Sequence, residues 1–393
     1  MKIAFVTAAT AATTAAALAI LAGPSLAQTT QGVSKTEIVI GSIQDLSGPI
    51  AGFGKQVRNG MQLRVEELAE AGGVAGRKLV LKVEDHGYDP KRAVLAAQKL
   101  VNQDKIFAML GTIGTAHNLA AMPIQFEKNV INFFPVTAAR EMYEPFHKLK
   151  FSFAATYFDQ MRQAAPRLAK EKGAKKVCAH YQDDEFGLEV VRGAEEGFKA
   201  AGIPMGEKTS FKRGATEFSS QVARLRGAGC DFVVLGTLIR ETIGTIGESR
   251  KTGFSPTFIG SSGAYTDLIH KLGGKAMDGL YATHTVAHPY LDEAAQPVRF
   301  WATKYKTKFD EDPTVFSLYG YTVVDAFIQG AGRAGPNLTA DSFVRAMESG
   351  KFAADIFGTP EMSFSSTKRL GNNASRMSQI QDGRWKVVAP YTN

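Results

Sequence analysis

Cysteine is almost missing from this chain: Cys178 and Cys230 are the only two in 393 residues. Two sulfurs cannot build a thiolate-rich metal site. Cys178 lies inside the strand pattern Lys175 to Tyr181, and Cys230 stands just ahead of Asp231 to Leu235. Neighbouring strands would hold the two out of step, and disulfide geometry allows little slack, so two buried free thiols are expected. A basic stripe is missing as well. The formal charge is only +8, and its pairs (Lys175-Lys176, Lys212-Arg213, Lys368-Arg369) are scattered without interleaved aromatics. No nucleic-acid partner is therefore expected. After residue 27 there is no uninterrupted apolar 18-mer, no long linker and no low-complexity segment. No membrane span is expected.

What is present begins with a leader pattern. Lys2 is followed by an Ala-rich apolar run, and Ser25-Leu26-Ala27 is a small-x-small cleavage signal before Gln28. No Cys follows that point, so no lipid anchor is expected, and the mature chain is read as starting near Gln28 and exported in soluble form. The compartment would permit a disulfide. Removing 27 of 393 residues leaves 366 and a charge of +7 once Lys2 is gone. That length exceeds what one core usually serves, so two domains are expected.

The richest stretch is Gly41 to Gly60. An apolar strand, Ile38 to Ile43, stops at Asp45, Ser47, Gly48 and Pro49. Gly52 and Gly54 bracket Phe53 in an expected glycine turn, and a helix opens with Val57, Met61, Leu63, Val65 and Leu68 on its buried side. Free backbone N–H groups at such a helix start are suited to an anionic group. The order strand, polar-glycine turn, helix recurs down the chain, predicting a doubly wound α/β unit to about Ala155 and a second of similar rhythm from there to Ile259. Helices are expected over Asn118 to Lys128, Gln160 to Lys172, Leu188 to Ala201 and Glu241 to Thr252, and a closing hairpin around Asp382-Gly383. The fold class is α/β, with two Rossmann-like lobes and a chain that crosses between them three times. Lobe 1 is assigned residues 28–155 and 286–362, and lobe 2 residues 156–285 and 363–393. Turns at strand ends line one crevice in such sheets, and a hinge over a crevice implies closure on a ligand.

Catalytic constellations are weak. His284 and His288 are spaced i, i+4 but fall on a strand and its exit, and are read as solvated loop residues, with no metal expected. Gly260-Ser261-Ser262-Gly263 is not a nucleophile elbow, and Gly111-Thr112-Ile113-Gly114-Thr115 lacks the Lys of a phosphate-binding loop. Asp183-Asp184-Glu185 is read as a helix cap. No enzyme and no cofactor are expected; a hydrolase using Ser262 or His284 is the competing class. Gly114-Thr115 and Thr137-Ala138 sit at strand-to-helix turns whose hydroxyls and amides could hold a carboxylate. Phe53, Phe186 and Phe316 lie in or beside turns, where they could face a ligand.

These residues, with Ser47-Gly48-Pro49, Gly72 to Arg77, Asp89-Pro90-Lys91, Phe218 to Leu225 and Asp231-Phe232, closely resemble the leucine/isoleucine/valine-binding proteins. That is the type I periplasmic solute-binding family of ABC transporters, and the match covers nearly the whole mature chain. The resemblance implies a periplasmic monomer that delivers a small molecule to ABC permease subunits. It implies a carboxylate held by Thr115 and by the turn Val136, Thr137 and Ala138, with Phe53, Phe186 and Leu238 around the ligand body. An acidic residue in the place of Ser262 usually grips an α-ammonium in that family, and Leu238 stands where a hydrogen-bonding Tyr is common. Ser262 carries no charge, and a buried ammonium without a carboxylate is costly. The expected ligand is therefore a small carboxylate with an apolar or aromatic body, a hydrophobic amino acid or an aromatic acid. An amide- or urea-type ligand is the alternative.

Overall fold

The computed structural model describes Met1 and residues 30–392. The expected leader and its cleavage point at Ala27 lie outside the described residues apart from Met1.

Apolar runs of three to eight residues between amphipathic helices leave strands covered on both faces, and these pair in parallel. The first sheet contains β1 (Glu37–Gln44), β2 (Lys78–Asp85), β3 (Ala108–Leu110), β4 (Ile131–Phe133) and β5 (Lys150–Phe151), in the order β2-β1-β3-β4-β5. Every pair in it is parallel. Its helices are α1 (Ala51–Glu70), α2 (Pro90–Gln98) and α3 (Thr115–Glu127). Asp89 caps α2 by accepting from Lys91 N, with Pro90 at the first helical position.

After α4 (Tyr157–Glu171) the pattern repeats with β6 (Val177–Gln182), α5 (Glu185–Ala200), β7 (Met205–Phe211), α6 (Ser219–Gly227), β8 (Phe232–Gly236), α7 (Ile239–Lys251), β9 (Thr257–Gly260), α8 (Asp267–Gly273) and β10 (Tyr281–His284). The parallel part of this sheet runs β7-β6-β8-β9-β10, the same winding as the first sheet. Two units of different sequence thus share one topology, which is the repeat that the sequence rhythm implies. In each sheet the winding reverses direction beside the first strand, at β1/β3 and at β6/β8, and a crevice opens there at the strand ends.

The chain then forms α9 (Gln296–Phe309), α10 (Val315–Ala334), α11 (Ala340–Glu348), a small ladder β11 (Lys351–Phe352) with β12 (Met362–Ser363), and the hairpin β13 (Ser375–Gln381) and β14 (Arg384–Thr392). The hairpin extends the second sheet antiparallel to β10, with its turn at Asp382-Gly383 as expected. Helix α10 returns to the first sheet and crosses α1 at backbone contact. A Cβ on Gly320 would overlap the Val57 carbonyl oxygen, and one on Gly60 would overlap that of Ser317. The crossing segments meet at a bridge between Ser152 and Leu370, where Ser152 N donates to Arg369 O at 2.8 Å.

Three local expectations are corrected. Cys178 and Cys230 form a disulfide, with Cα atoms 5.9 Å apart. Strand register alone puts Cys178 beside Val233, but Cys230 precedes β8 and comes in from α6 through Gly229 at φ 73°, which carries it back over β6. The glycines 52 and 54 are not a turn: α1 already starts at Ala51, and Gly54 is needed because a Cβ there would overlap the Asp45 carbonyl. His284 and His288 are not solvated. Both are buried, and His284 stacks on Tyr265 with centroids 3.9 Å apart and contacts Val286 O and Ser378 Oγ at 2.7 Å each.

Candidate functional site

The two winding reversals face each other, and a cavity lies between them. It encloses about 590 Å³ of atom-free space, part of it continuous with solvent. Each of the eight residues singled out in the sequence lines it: Phe53, Thr115, Val136, Thr137, Ala138, Phe186, Leu238 and Ser262.

Half of them occupy helix starts. Phe53 is in the first turn of α1, Thr115 opens α3, Phe186 is second in α5, and Leu238 immediately precedes α7. Strands β3 and β4 continue past their ladder through a bridge between Ile113 and Val136, and Val136 N donates to Thr112 O at 2.9 Å. This brings the two turns side by side, so that the Thr115 and Thr137 hydroxyl oxygens are 2.7 Å apart. Helix α3 has Gly114 at its N-cap and no capping side chain. Its first amides therefore have no side-chain acceptor, and Gly114 and Thr115 both line the cavity.

The starts of α5 and α1 differ. Asp184 caps α5, accepting from Phe186 N and Gly187 N. At α1 the anion site expected from Gly41 to Gly60 is filled by the chain itself, since the Asp45 carboxylate accepts from Gly48 N and Ile50 N. Helix α7, which starts beside Leu238, also has no capping side chain, but only α3 has cavity-lining threonine hydroxyls, those of Thr115 and Thr137, beside its uncapped start.

On the opposite wall Ser262 is tied into a neutral network. Gln160, fully buried, accepts from Ser262 N at 2.8 Å and from the Thr283 hydroxyl at 2.8 Å, and donates to Ser262 Oγ at 3.0 Å. Phe186 and Leu238 pack against Gly263 beside it. Phe53 stacks on Phe316 with centroids 3.7 Å apart, which confirms Phe316 as a cavity-facing ring.

Sequence reading missed Tyr88, Tyr157 and Tyr319, which also line the cavity, together with Ile50, Phe153 and their neighbours. Tyr157 opens α4, three residues ahead of the expected helix, and Tyr319 lies one turn inside α10. A single aromatic in a turn or helix carries no signal that separates cavity from core. Burial raises the phenol pKa of all three, so each remains a protonated hydrogen-bond donor at neutral pH. Beneath Tyr88, His86 and His117 stack 4.1 Å apart, and burial lowers both imidazoles, His117 to about 3. They are neutral at physiological pH.

Among the described residues, none that lines the cavity is an Asp, Glu, Lys, Arg or His. The nearby acids are engaged elsewhere: Asp183 pairs with Lys212 at 3.0 Å, Asp184 with Arg213 at 2.7 Å and Glu241 with Arg240 at 3.1 Å. Among the described residues, no group of three or more His, Cys, Asp or Glu side chains is placed to hold a metal ion. No described helix is long and apolar enough to cross a membrane.

The family described as periplasmic binding protein matches residues 37–384. Leu/Ile/Val-binding protein homolog 8 of Brucella abortus (strain 2308) is 26% identical over 391 residues, covering 94% of each chain. The fold is also that of the fatty acid ABC transporter substrate-binding protein from Thermomonospora curvata, with TM-score 0.84 and 22% identity over 93% of this chain and 94% of that one. An R. palustris ABC transporter solute-binding protein solved with benzoate has TM-score 0.79 and 18% identity, covering 91% and 97%.

Proposed function

This chain belongs to the periplasmic binding protein family, and from that premise we propose that it closes on a small carboxylate with an apolar or aromatic body and hands it, unchanged, to an ABC permease. The observation that carries this reading is the lining of the cavity: an uncapped helix start and two threonine hydroxyls, with no charged side chain. Thr115, Thr137 and the backbone amides of Thr137 and Ala138 hold the carboxylate, while Val136, whose own N–H is given to Thr112 O, only fixes the turn. A carboxylate among amides and hydroxyls at a helix start is stabilised without a cation. Phe53, Phe186 and Leu238 enclose the body, and Ser262 contacts its far side. An α-ammonium would meet Ser262 and Gln160, which are neutral, and would lose its water without gaining a counter-charge. The benzoate-bound relative shows that this fold accommodates such an acid, and the Thermomonospora protein is named for another acid without an amino group.

The working unit is a monomer whose lobes comprise residues 28–155 with 286–362 and 156–285 with 363–393. The sheets follow that division, since the first takes its strands from 37–151 and the second from 177–284 and 375–392. A periplasmic location accords with the buried disulfide, which persists in an oxidising compartment.

Calorimetry with benzoate, phenylacetate, benzamide and leucine tests the reading. Binding of an aromatic acid at least about 30-fold tighter than leucine is expected, since an unpaired ammonium costs 2 kcal/mol or more on desolvation. Tight leucine binding would overturn it, and preference for benzamide over the acids would turn the reading to the amide class. Recovery of the ligand unchanged after long incubation excludes turnover.

A further inference from the structure

Tyr88 lines two spaces at once. It belongs to the wall of the cavity, and also to a shallow depression on the outer surface formed by Pro49, Gly87, Asp89, Pro90, Arg213 and Gly214. It is the residue that the two linings have in common. The residue comes from the first sheet, in the turn after β2, yet its side chain is held by residues of the second. Gln182 Nε2 at the end of β6 donates to Tyr88 Oη at 3.2 Å and to Asp184 Oδ2 at 2.6 Å. Arg213 donates to the same Asp184 oxygen at 2.7 Å, and its guanidinium carbon lies 5.4 Å from the Tyr88 ring centre. Both contacts cross the seam between the lobes.

The backbone of Tyr88 has a further peculiarity. Its φ is 61°, in the left-handed region that a bulky side chain rarely adopts and only under strain. The turn is fixed in that shape from below: Tyr88 N donates to His86 Nδ1 at 2.9 Å, and His86 Nε2 meets Ile113 O at 3.0 Å. A strained residue held rigidly by one lobe, and gripped at its tip by the other, is positioned to act only when the lobes meet.

We propose that Tyr88 is the gate of the cavity and that Gln182 and Arg213 are the latch that holds it shut. The proposal rests on the binding reading above. When the lobes separate, the ring loses the Gln182 hydrogen bond and the Arg213 cation–π contact together, and the wall between cavity and solvent opens. The latch acts on escape more than on entry, because neither contact exists before closure.

The test uses the full mature protein with Arg213→Gln, Gln182→Leu and Tyr88→Phe, measured by stopped flow with benzoate and by small-angle scattering with and without it. Each variant is expected to raise the dissociation rate about tenfold while the association rate changes less than about threefold, the split typical of contacts made only in the bound state. Arg213→Lys, which keeps the cation and its pairing to Asp184, is expected to recover most of the loss. A larger radius of gyration for Arg213→Gln than for the unmodified protein is also expected. Dissociation rates within twofold of the unmodified protein in all three variants would overturn the gate. If benzoate does not bind the unmodified protein, the ligand reading fails, and the scattering comparison alone decides: an unchanged radius of gyration then rejects the latch, and an increase supports it.

Discussion

Thr115 and Thr137 share a hydrogen bond of 2.7 Å, which uses only one of their two hydroxyl protons. With the amides of the first turn of α3 and the phenol hydroxyls of Tyr88, Tyr157 and Tyr319, the other proton is among the hydrogen-bond donors of the cavity wall. A hydrogen bond to a charged group contributes about 1.5–3 kcal/mol, and each 1.4 kcal/mol is tenfold in affinity. Thr115→Ala is therefore expected to weaken benzoate binding roughly 10- to 150-fold by calorimetry, and Thr115→Ser to restore most of it. A loss under about threefold in the alanine variant would show that Thr115 spaces the turn and does not bind. The same scale explains why Asp45, another acid at a helix start, is no part of the site. Its carboxylate already occupies the amides of Gly48 and Ile50.

At the scale of elements, strand positions, the repeat and most helix positions were legible because apolar periodicity marks buried faces. Helix starts were not. Helices α3, α4 and α5 each begin three residues ahead of the sequence expectation, at Thr115, Tyr157 and Glu185. The first turn of each faces the cavity or its rim, so its side chains do not follow the core pattern. That is why Thr115 and Phe186 were found through motif order while Tyr157, at an equivalent place in α4, was not. The buried His284 and the disulfide were misread for a related reason, since exits from strands turn back over the sheet in ways that spacing does not encode. Glycine inside helices was a usable signal that went unread. In an ordinary helix interior Gly→Ala gains up to about 1 kcal/mol from propensity. At Gly320 a Cβ overlaps the Val57 carbonyl of α1, so Gly320→Ala is expected instead to lower the melting temperature by several degrees, as overpacking costs about 1–3 kcal/mol. A melting temperature that rises would mean that the two helices are not in backbone contact.

For the molecule as a whole, closure and stability respond to different groups. Arg140 crosses the seam to Glu189, with its Nη2 2.7 Å from Oε1, and stacks on Phe158 at 3.8 Å, so lobe contact does not depend on the Tyr88 latch alone. The pH dependence of folding comes from buried imidazoles. Burial lowers His117 and His284 to about 3 and His180 and His270 to about 4, against about 6.5 in an unfolded chain. A folded-state pKa below the unfolded one means that the unfolded chain takes up more protons as pH falls, so the stability these groups contribute is complete above pH 7 and is lost below about 6.5. Each histidine is expected to withdraw roughly 1 kcal/mol per pH unit below about 6, until its own folded pKa is reached. Asp267 acts in a lower window: burial raises its pKa, but His288 and Lys271 outweigh this and leave it well below the usual range. Its stabilisation is lost only under about pH 4. Calorimetric melting between pH 7.5 and 4.5 is expected to show a plateau above 7 and a steep decline below 6. The decline precedes the carboxylate range and belongs to the histidines. A melting temperature unchanged from pH 7.5 to 5 would contradict burial of these imidazoles in the neutral form.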